Sequence, residues 1–266
     1  MAESCTKFLH TDPTCASLVE QLIYIANVKV NQCMRGLLIR VCIDSTCGPW
    51  NGPIDIATGR FVYVPIPESQ PIHPKLRRTF DEVLSPLKPF QAALPRNLLG
   101  GAAHFDPDFA FLTYGDQGAR AKRIRDVMGG DDRGFIAFYG GFRDVKSRTI
   151  VDAIIGIYHV AEVIDARAIP KNRWRENAHT RRRQNKGDVV VRAIRGKSGR
   201  LKKGIVIGQY RDRAHRVDKA ILKEWGGLDV RDGYIQRSVW LPEFMNPDQF
   251  LKWLKAKRPQ LIASNN

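Results

Sequence analysis

The sequence predicts an α+β fold in which helices flank a mixed central β-sheet. Two β-rich runs, GFIAFYGGFR and IVDAIIGIYHVAEVI, succeed each other with no helical segment between them. That order argues against a regular βαβ array. Segments with apolar residues at helical spacing stand apart from these runs, before and after them. The length of 266 residues and the hydrophobic content of 43% suffice for a substantial core.

Taken in order, residues 1–33 differ in character from the remainder of the chain and are read as an N-terminal appendage, leaving 34–266 as a single domain. After Met34 the run LLIRVCI reads as a first strand, ending in the polar triplet Asp44-Ser45-Thr46. A loop punctuated by glycine and proline leads to FVYV at residues 61–64. HPKLRRTFDEVLSPL has helical spacing at Leu76, Phe80, Val83 and Leu84 and predicts a helix over 73–87. The extended segment HFDPDFAFLTYGD precedes a helix with Ala121, Ile124, Val127 and Met128 on one face, stopping at Gly129-Gly130. Beyond the central strands, VVV at 189–191 and GIVIGQY at 204–210 read as further strands. Two helices complete the domain: one carries Val217, Ile221, Leu222 and Trp225, and the other opens on Asn246-Pro247 with Gln249 closing a capping box.

The chain carries 43 Lys and Arg against 27 Asp and Glu, a formal charge of +16. Residues 171–237 hold 20 of those cations against 7 acids, so the excess is concentrated. A basic segment within a folded chain points to a polyanion, nucleic acid above all. The alternative is a solvated face, although such faces usually mix both signs. No run of eighteen apolar residues and no signal peptide is recognisable, so a soluble cytoplasmic protein without membrane contact is expected. All five cysteines lie in the first 47 residues, with no C-x-x-C pair, and read as reduced thiols rather than zinc ligands. Phosphate-loop, dinucleotide-binding and nucleophile-elbow motifs are missing, which removes support for an ATPase, a dehydrogenase or an α/β-hydrolase. No cofactor and no obligate protein partner is expected.

Five constellations carry chemistry. Asp44, Ser45 and Thr46 sit at a strand end, where a rigid element aims side chains; an Asx-type turn is the plainer reading. His104, Asp106 and Asp108 alternate, so in an extended segment they share one face. A metal there would need a further histidine or carboxylate, and none is identifiable from spacing, so no metal is expected. Asp116 precedes a helix bearing Arg120, Lys122 and Arg123, three candidate phosphate contacts, and is itself either a carboxylate of the site or an N-cap. Asn177 and His179 adjoin Arg181, Arg182 and Arg183, polar groups beside a backbone clamp, and Lys197, Arg200, Lys202 and Lys203 repeat the basic theme. Tyr114 and Tyr139 offer faces on which an extruded base would stack, although strand aromatics are more often core.

The ordered set LLIRVCIDSTCGPWNGPID, GRFVYVPIPE, HFDPDFAFLTYGD, FIAFYGGFR and IIGIYHVAEV resembles the nucleotide modification associated domain family of the third type, from Met34 onward. The middle block is also similar to PUA/EVE-like barrels, which makes a partial barrel the alternative to an open sheet. The family resemblance implies action on DNA, double-stranded and carrying modified bases, in conflicts with phage. It implies a glycosylase that flips and excises a bulky cytosine, glucosylated hydroxymethylcytosine included. Asp44, Asp106 and Asp116 fall on the family's polar signature positions as candidate catalytic carboxylates. Ser45, Thr46, His104, Tyr114, Tyr139, Asn177 and His179 are then candidates for base or sugar recognition. No lysine stands out as a Schiff-base nucleophile, so no lyase step is expected. A modified-base endonuclease and a non-catalytic reader remain the alternatives.

Overall fold

The computed structural model describes residues 34–45, 48, 50–130, 134–236 and 240–266. The appendage expected at 1–33 and the candidate Thr46 lie outside them.

A hairpin of two long strands forms the centre. Strand β7, Gly134–Asp144, runs antiparallel to β8, Ile150–Asp165, from Phe135 opposite His159 to Arg143 opposite Ile150. Strands β1, Arg35–Arg40, and β2, Pro53–Asp55, pair with β7 in parallel, whereas the other pairings are antiparallel. On the far side β10, Gly199–Arg211, joins β8 and carries β11, Ala214–Val217, and β12, Leu261–Ile262, while β3, Arg60–Phe61, edges β2. This is the mixed α+β sheet that the sequence predicts; it is open, and the partial-barrel alternative does not hold.

Both faces of the central strands are covered, which is why they read as near-continuous apolar runs. Alternation along β1 sends Leu37 and Ile39 to one core cluster and Leu38 to the other. The first cluster includes Ile136 and Phe138 of β7 and Ala121, Ile124 and Val127 of helix α2, Gly118–Met128. The second packs Phe135 and Tyr139 against Trp225 of α4, Lys219–Trp225, and Phe250 and Trp253 of α5, Pro247–Ala256. Asn246 caps α5 by accepting a hydrogen bond from the Gln249 amide.

The helix expected over 73–87 breaks up. Turns at Pro74–Leu76 and Phe80–Val83 precede a single helical turn, α1, Leu84–Leu87. Between the turns, Thr79 bridges Ala102 and the Arg78 carbonyl accepts from the Ala103 amide. Cross-chain pairing thus takes backbone groups that a helix would use.

From Val160 onward β8 pairs with β9, Val189–Ala193, with an irregularity between Val160 and Glu162. β9 in turn pairs with β6, Thr113–Asp116, Asp116 opposite Val189. A separate two-stranded ribbon is made by β4, Ile66–Pro67, and β5, Ala103–His104. β6, the ribbon and the short helix α3, Ala178–Arg181, supply residues to one cavity.

Candidate functional site

The cavity has a volume of about 610 Å³ and takes its lining from five stretches: residues 40–42 after β1, the ribbon at 66–69, His104 with Asp106, residues 114–120, and His179 with Arg182. Asp106 is its focus, and the His104, Asn177 and His179 side chains around that carboxylate are all buried.

Local structure explains the focus. The chain past Asp106 is pinned by two buried phenols, as Tyr63 Oη donates to the Pro107 carbonyl at 2.9 Å and Tyr158 Oη to the Asp108 carbonyl at 3.0 Å. One oxygen of Asp106 is fully engaged: Oδ1 accepts from the Gly115 amide at 2.7 Å and from Asn177 Nδ2 at 3.2 Å. Asn177 is also the N-cap of α3, its Oδ1 accepting from the His179 amide at 2.8 Å. That cap aims the imidazole. Gly115 is required by space, since a Cβ there would stand 2.5 Å from His179 Cδ2 and 2.6 Å from Asn177 Oδ1.

The second oxygen, Oδ2, faces two imidazole nitrogens, His179 Nε2 at 3.3 Å and His104 Nε2 at 3.7 Å. Each ring is held from behind by another carboxylate: His104 Nδ1 meets Glu68 Oε2 at 2.5 Å, and His179 Nδ1 meets Asp188 Oδ2 at 3.1 Å. Arg182 lies between these outer carboxylates, 3.5 Å from each, and donates to Gln117 Oε1 at 2.9 Å. Burial opposes a charge on His179, but its bonds to Asp106 and Asp188 outweigh that and lift its pKa to about 9. For Asp106 burial pushes the other way, yet the bonds from His104 and His179 hold its carboxyl below the usual range.

A second polar group forms another part of the wall. Tyr114 and Asp116 project to the same side of β6, and Tyr114 Oη donates to Asp116 Oδ2 at 2.5 Å. Arg120 Nε meets the same oxygen at 2.8 Å, and Asp116 Oδ1 accepts from the Gln117 amide at 2.9 Å. Gln117, rather than Asp116, is the N-cap of α2. Burial and the Asp116 charge keep the Tyr114 phenol protonated, while Tyr114 and Asp116 outweigh burial in fixing the charge on Arg120. Both oxygens of Asp116 are thus occupied, one of them by a guanidinium.

The remaining candidates divide sharply. Asp44 is wholly buried and is not part of the lining; its Oδ2 lies 3.1 Å from Arg40 Nε, and Arg40 does line the cavity. Arg40 thus links Asp44 to the cavity lining, and it also meets His215 Nε2 at 2.8 Å, whose Nδ1 meets Asp152 at 2.8 Å. Ser45 is exposed. Asp108 does not share a face with Asp106; Arg181, Arg78 and Asn265 enclose it. Tyr139 belongs to the second core cluster, its hydroxyl donating to the Ile235 carbonyl, and offers no face to the cavity.

Among the expected backbone contacts, Arg181 is committed to Asp108 and Arg182 to the cavity floor, while Arg200 is buried over the Phe61 ring. Arg123 is bound to Glu243 at 2.7 Å and lies over Trp240. The ion pairs and ring contacts of these four tie them to the fold or to the cavity wall. Lys122, Arg183, Lys197, Lys202 and Lys203 differ from them: Lys122, Lys197, Lys202 and Lys203 are exposed, and so is Arg183.

The cavity's residues fall within a region shared with a known family. The family model for nucleotide modification associated domain 3 matches residues 35–240. The chain belongs to the nucleotide modification associated domain 3 family. Comparisons with curated proteins and with solved structures return no match. The matched span contains the whole Asp106 cluster and the Tyr114–Asp116–Arg120 group, so the cavity lies within the family region. Membership associates the chain with nucleotide modification and with nucleic acid. No helix among the described residues is long and apolar enough to cross a membrane.

Glu68, Asp188, Gly115 and Arg40 also belong to this candidate site, and sequence reasoning alone misses them. Asp188 does carry a signal: it is the sole acidic residue between Glu176 and Asp212, in the most basic part of the chain. An isolated acid among so many cations, directly before a buried strand, marks a buried partner.

Proposed function

We propose that the protein hydrolyses the N-glycosidic bond of a modified base in DNA, taking the base into the 610 Å³ cavity. One observation carries this reading. A buried carboxylate with one oxygen saturated by fixed donors turns its other oxygen toward two imidazoles at the floor of a base-sized pocket. Asp106, His104 and His179 are suited to holding a single water molecule against the sugar.

In the reaction the water oxygen bonds to C1′ as the C1′–N bond breaks, the bond's electron pair leaving with the base. Asp106 takes the proton released by the water, and the base anion takes one from solvent. Positive charge that builds on the sugar faces the Asp106 carboxylate. Arg40, Arg120 and Arg182 line the cavity and favour the departing anion, and residues 117–120 at the start of α2 add the positive end of a helix. Tyr114 contributes an aromatic wall. Exposed Lys122 and Arg183 are suited to the phosphates of the flanking strand.

The second reading is strand cleavage at a modified site, favoured by the same histidine–carboxylate cluster. Products separate the two. Incubation with DNA carrying glucosylated hydroxymethylcytosine should release free modified base, detected by mass spectrometry, and leave abasic sites that break only in alkali. Strand breaks without alkali and without free base would replace the first reading with the second. Tight binding with neither product would make the protein a reader.

A further inference from the structure

We propose that His104, Asp106 and His179 are the protein ligands of a divalent transition-metal ion, with one coordination position open to the cavity. The inference rests on the reading of this cavity as the reacting site and adds what holds the water there.

Three observations converge. The first is spacing: one ligand atom from each residue lies within 4.8 Å of the others, and the two nitrogens stand 3.3 and 3.7 Å from the Asp106 oxygen. Ligands about 2.0–2.1 Å from a tetrahedral ion are roughly 3.4 Å apart, so small side-chain adjustments would admit one.

The second is the outer shell. Each histidine presents Nε2 to the shared point while a carboxylate meets its Nδ1, Glu68 for His104 and Asp188 for His179, where the same nitrogen also stands 3.0 Å from Arg182 Nη2. A histidine that ligates a metal characteristically donates its other N–H to such a partner, which fixes the tautomer and raises the ligand's basicity. Both histidines are so arranged toward one carboxylate oxygen.

The third is charge. Glu68, Asp106 and Asp188 bring three negative charges into a buried cluster, against one permanent positive charge on Arg182. A divalent cation would take the place of the proton on His179 and neutralise the set.

The ligand types select the ion class. Two imidazoles and a carboxylate suit zinc, iron(II) or manganese(II) better than calcium or magnesium, which favour all-oxygen sites. Three protein ligands with the next position facing a cavity is the arrangement of a catalytic rather than a structural ion. The open position would take the attacking water and lower its proton affinity, so that the proton is lost to solvent instead of passing to Asp106. The bonds made and broken at C1′ are unchanged.

The test uses the full chain, stripped with chelator and then titrated separately with Zn²⁺, Mn²⁺ and anaerobic Fe²⁺. Metal content after gel filtration should reach about one ion per chain for at least one of these. Cobalt(II) substitution should give visible d–d bands, and Asp106→Asn and His104→Gln should abolish both signals. Glu68→Gln, which leaves all three ligands in place, provides a milder check should those variants misfold, and it should weaken affinity about 10–100-fold. No retained ion, or stoichiometric binding that persists undiminished in folded Asp106→Asn and in Glu68→Gln, overturns the proposal. Base release by metal-free protein would remove the ion and leave the glycosylase reading standing. A bound ion with no released base would do the reverse.

Discussion

Asp106 and Asp108 are separated by one residue, both are buried, and both are held by several donors, yet their surroundings differ in kind. Asp108 meets Arg181 at 2.5 Å, Arg78 at 2.7 Å and Asn265 at 3.0 Å. Its charge is cancelled by permanent cations, and it is not part of the cavity lining. Asp106 instead meets an amide, an asparagine and two imidazoles, at the floor of a cavity. Guanidiniums have no lone pair to give and hold their protons throughout the accessible range. Imidazoles can exchange a proton or donate a lone pair to a metal. The lesson is that the chemistry of its partners, more than burial, separates a carboxylate that holds a fold from one equipped to act.

Four measurements would break or sharpen that contrast. The largest effect is expected on turnover. Asp106→Asn should lower base release by about 10²–10⁴-fold while leaving a cooperative unfolding transition. Equal turnover in wild type and variant would move the chemistry away from Asp106. Next, Asp108→Asn should cost about 3–5 kcal/mol in urea unfolding, because Arg181 would be left buried without its carboxylate. If Asp106→Asn proved just as destabilising, the division between the two acids would fail.

A smaller effect belongs to the backbone between them and α3. Gly115→Ala should destabilise by about 1–3 kcal/mol and depress turnover as well, since its Cβ would displace the His179 ring. A crystal structure of that variant with His179 unmoved would contradict the argument. The smallest change is expected at the surface. Lys122→Ala and Arg183→Ala should each leave turnover on saturating DNA intact and reduce the slope of log affinity against log salt by about one. An unchanged slope would place the DNA track elsewhere.

How much of this is legible in the sequence depends on the physics involved. Strands β7 and β8 are plain because burial on both faces leaves long β-branched runs, and α2 and α5 declare themselves by spacing and caps. The expected helix at 73–87 fails because pairing between residues 78–79 and 102–103 is invisible to local periodicity. Asp106, Asp116, His104, Tyr114 and His179 stand out by residue type in segments rich in glycine, proline or arginine, and all five line one cavity. Burial is the hidden variable elsewhere. The RRR run at 181–183 reads as one clamp, but its arginines have three destinations: Asp108, the cavity floor and solvent. Tyr139 sits one strand position from Phe138, and alternation sends it to the opposite core. The third metal-type ligand that spacing near residue 104 does not supply comes from His179, distant in the chain, through contacts that only the fold creates.

The length of β8 has a consequence for how the pocket admits its ligand. One unbroken strand is hydrogen-bonded to β7 and β10 along its first part and to β9 along its last, and β9 carries β6 with Tyr114 and Asp116. Prying that side outward would rupture a ladder anchored in both cores. The ribbon leading into Glu68 is shorter: two residue pairs join β4 to β5, and the Glu68 amide donates to the Ala102 carbonyl beyond them. On the function proposed above, widening for the base is expected at the ribbon, and bound ligand should slow amide exchange there more than in the strands behind Tyr114.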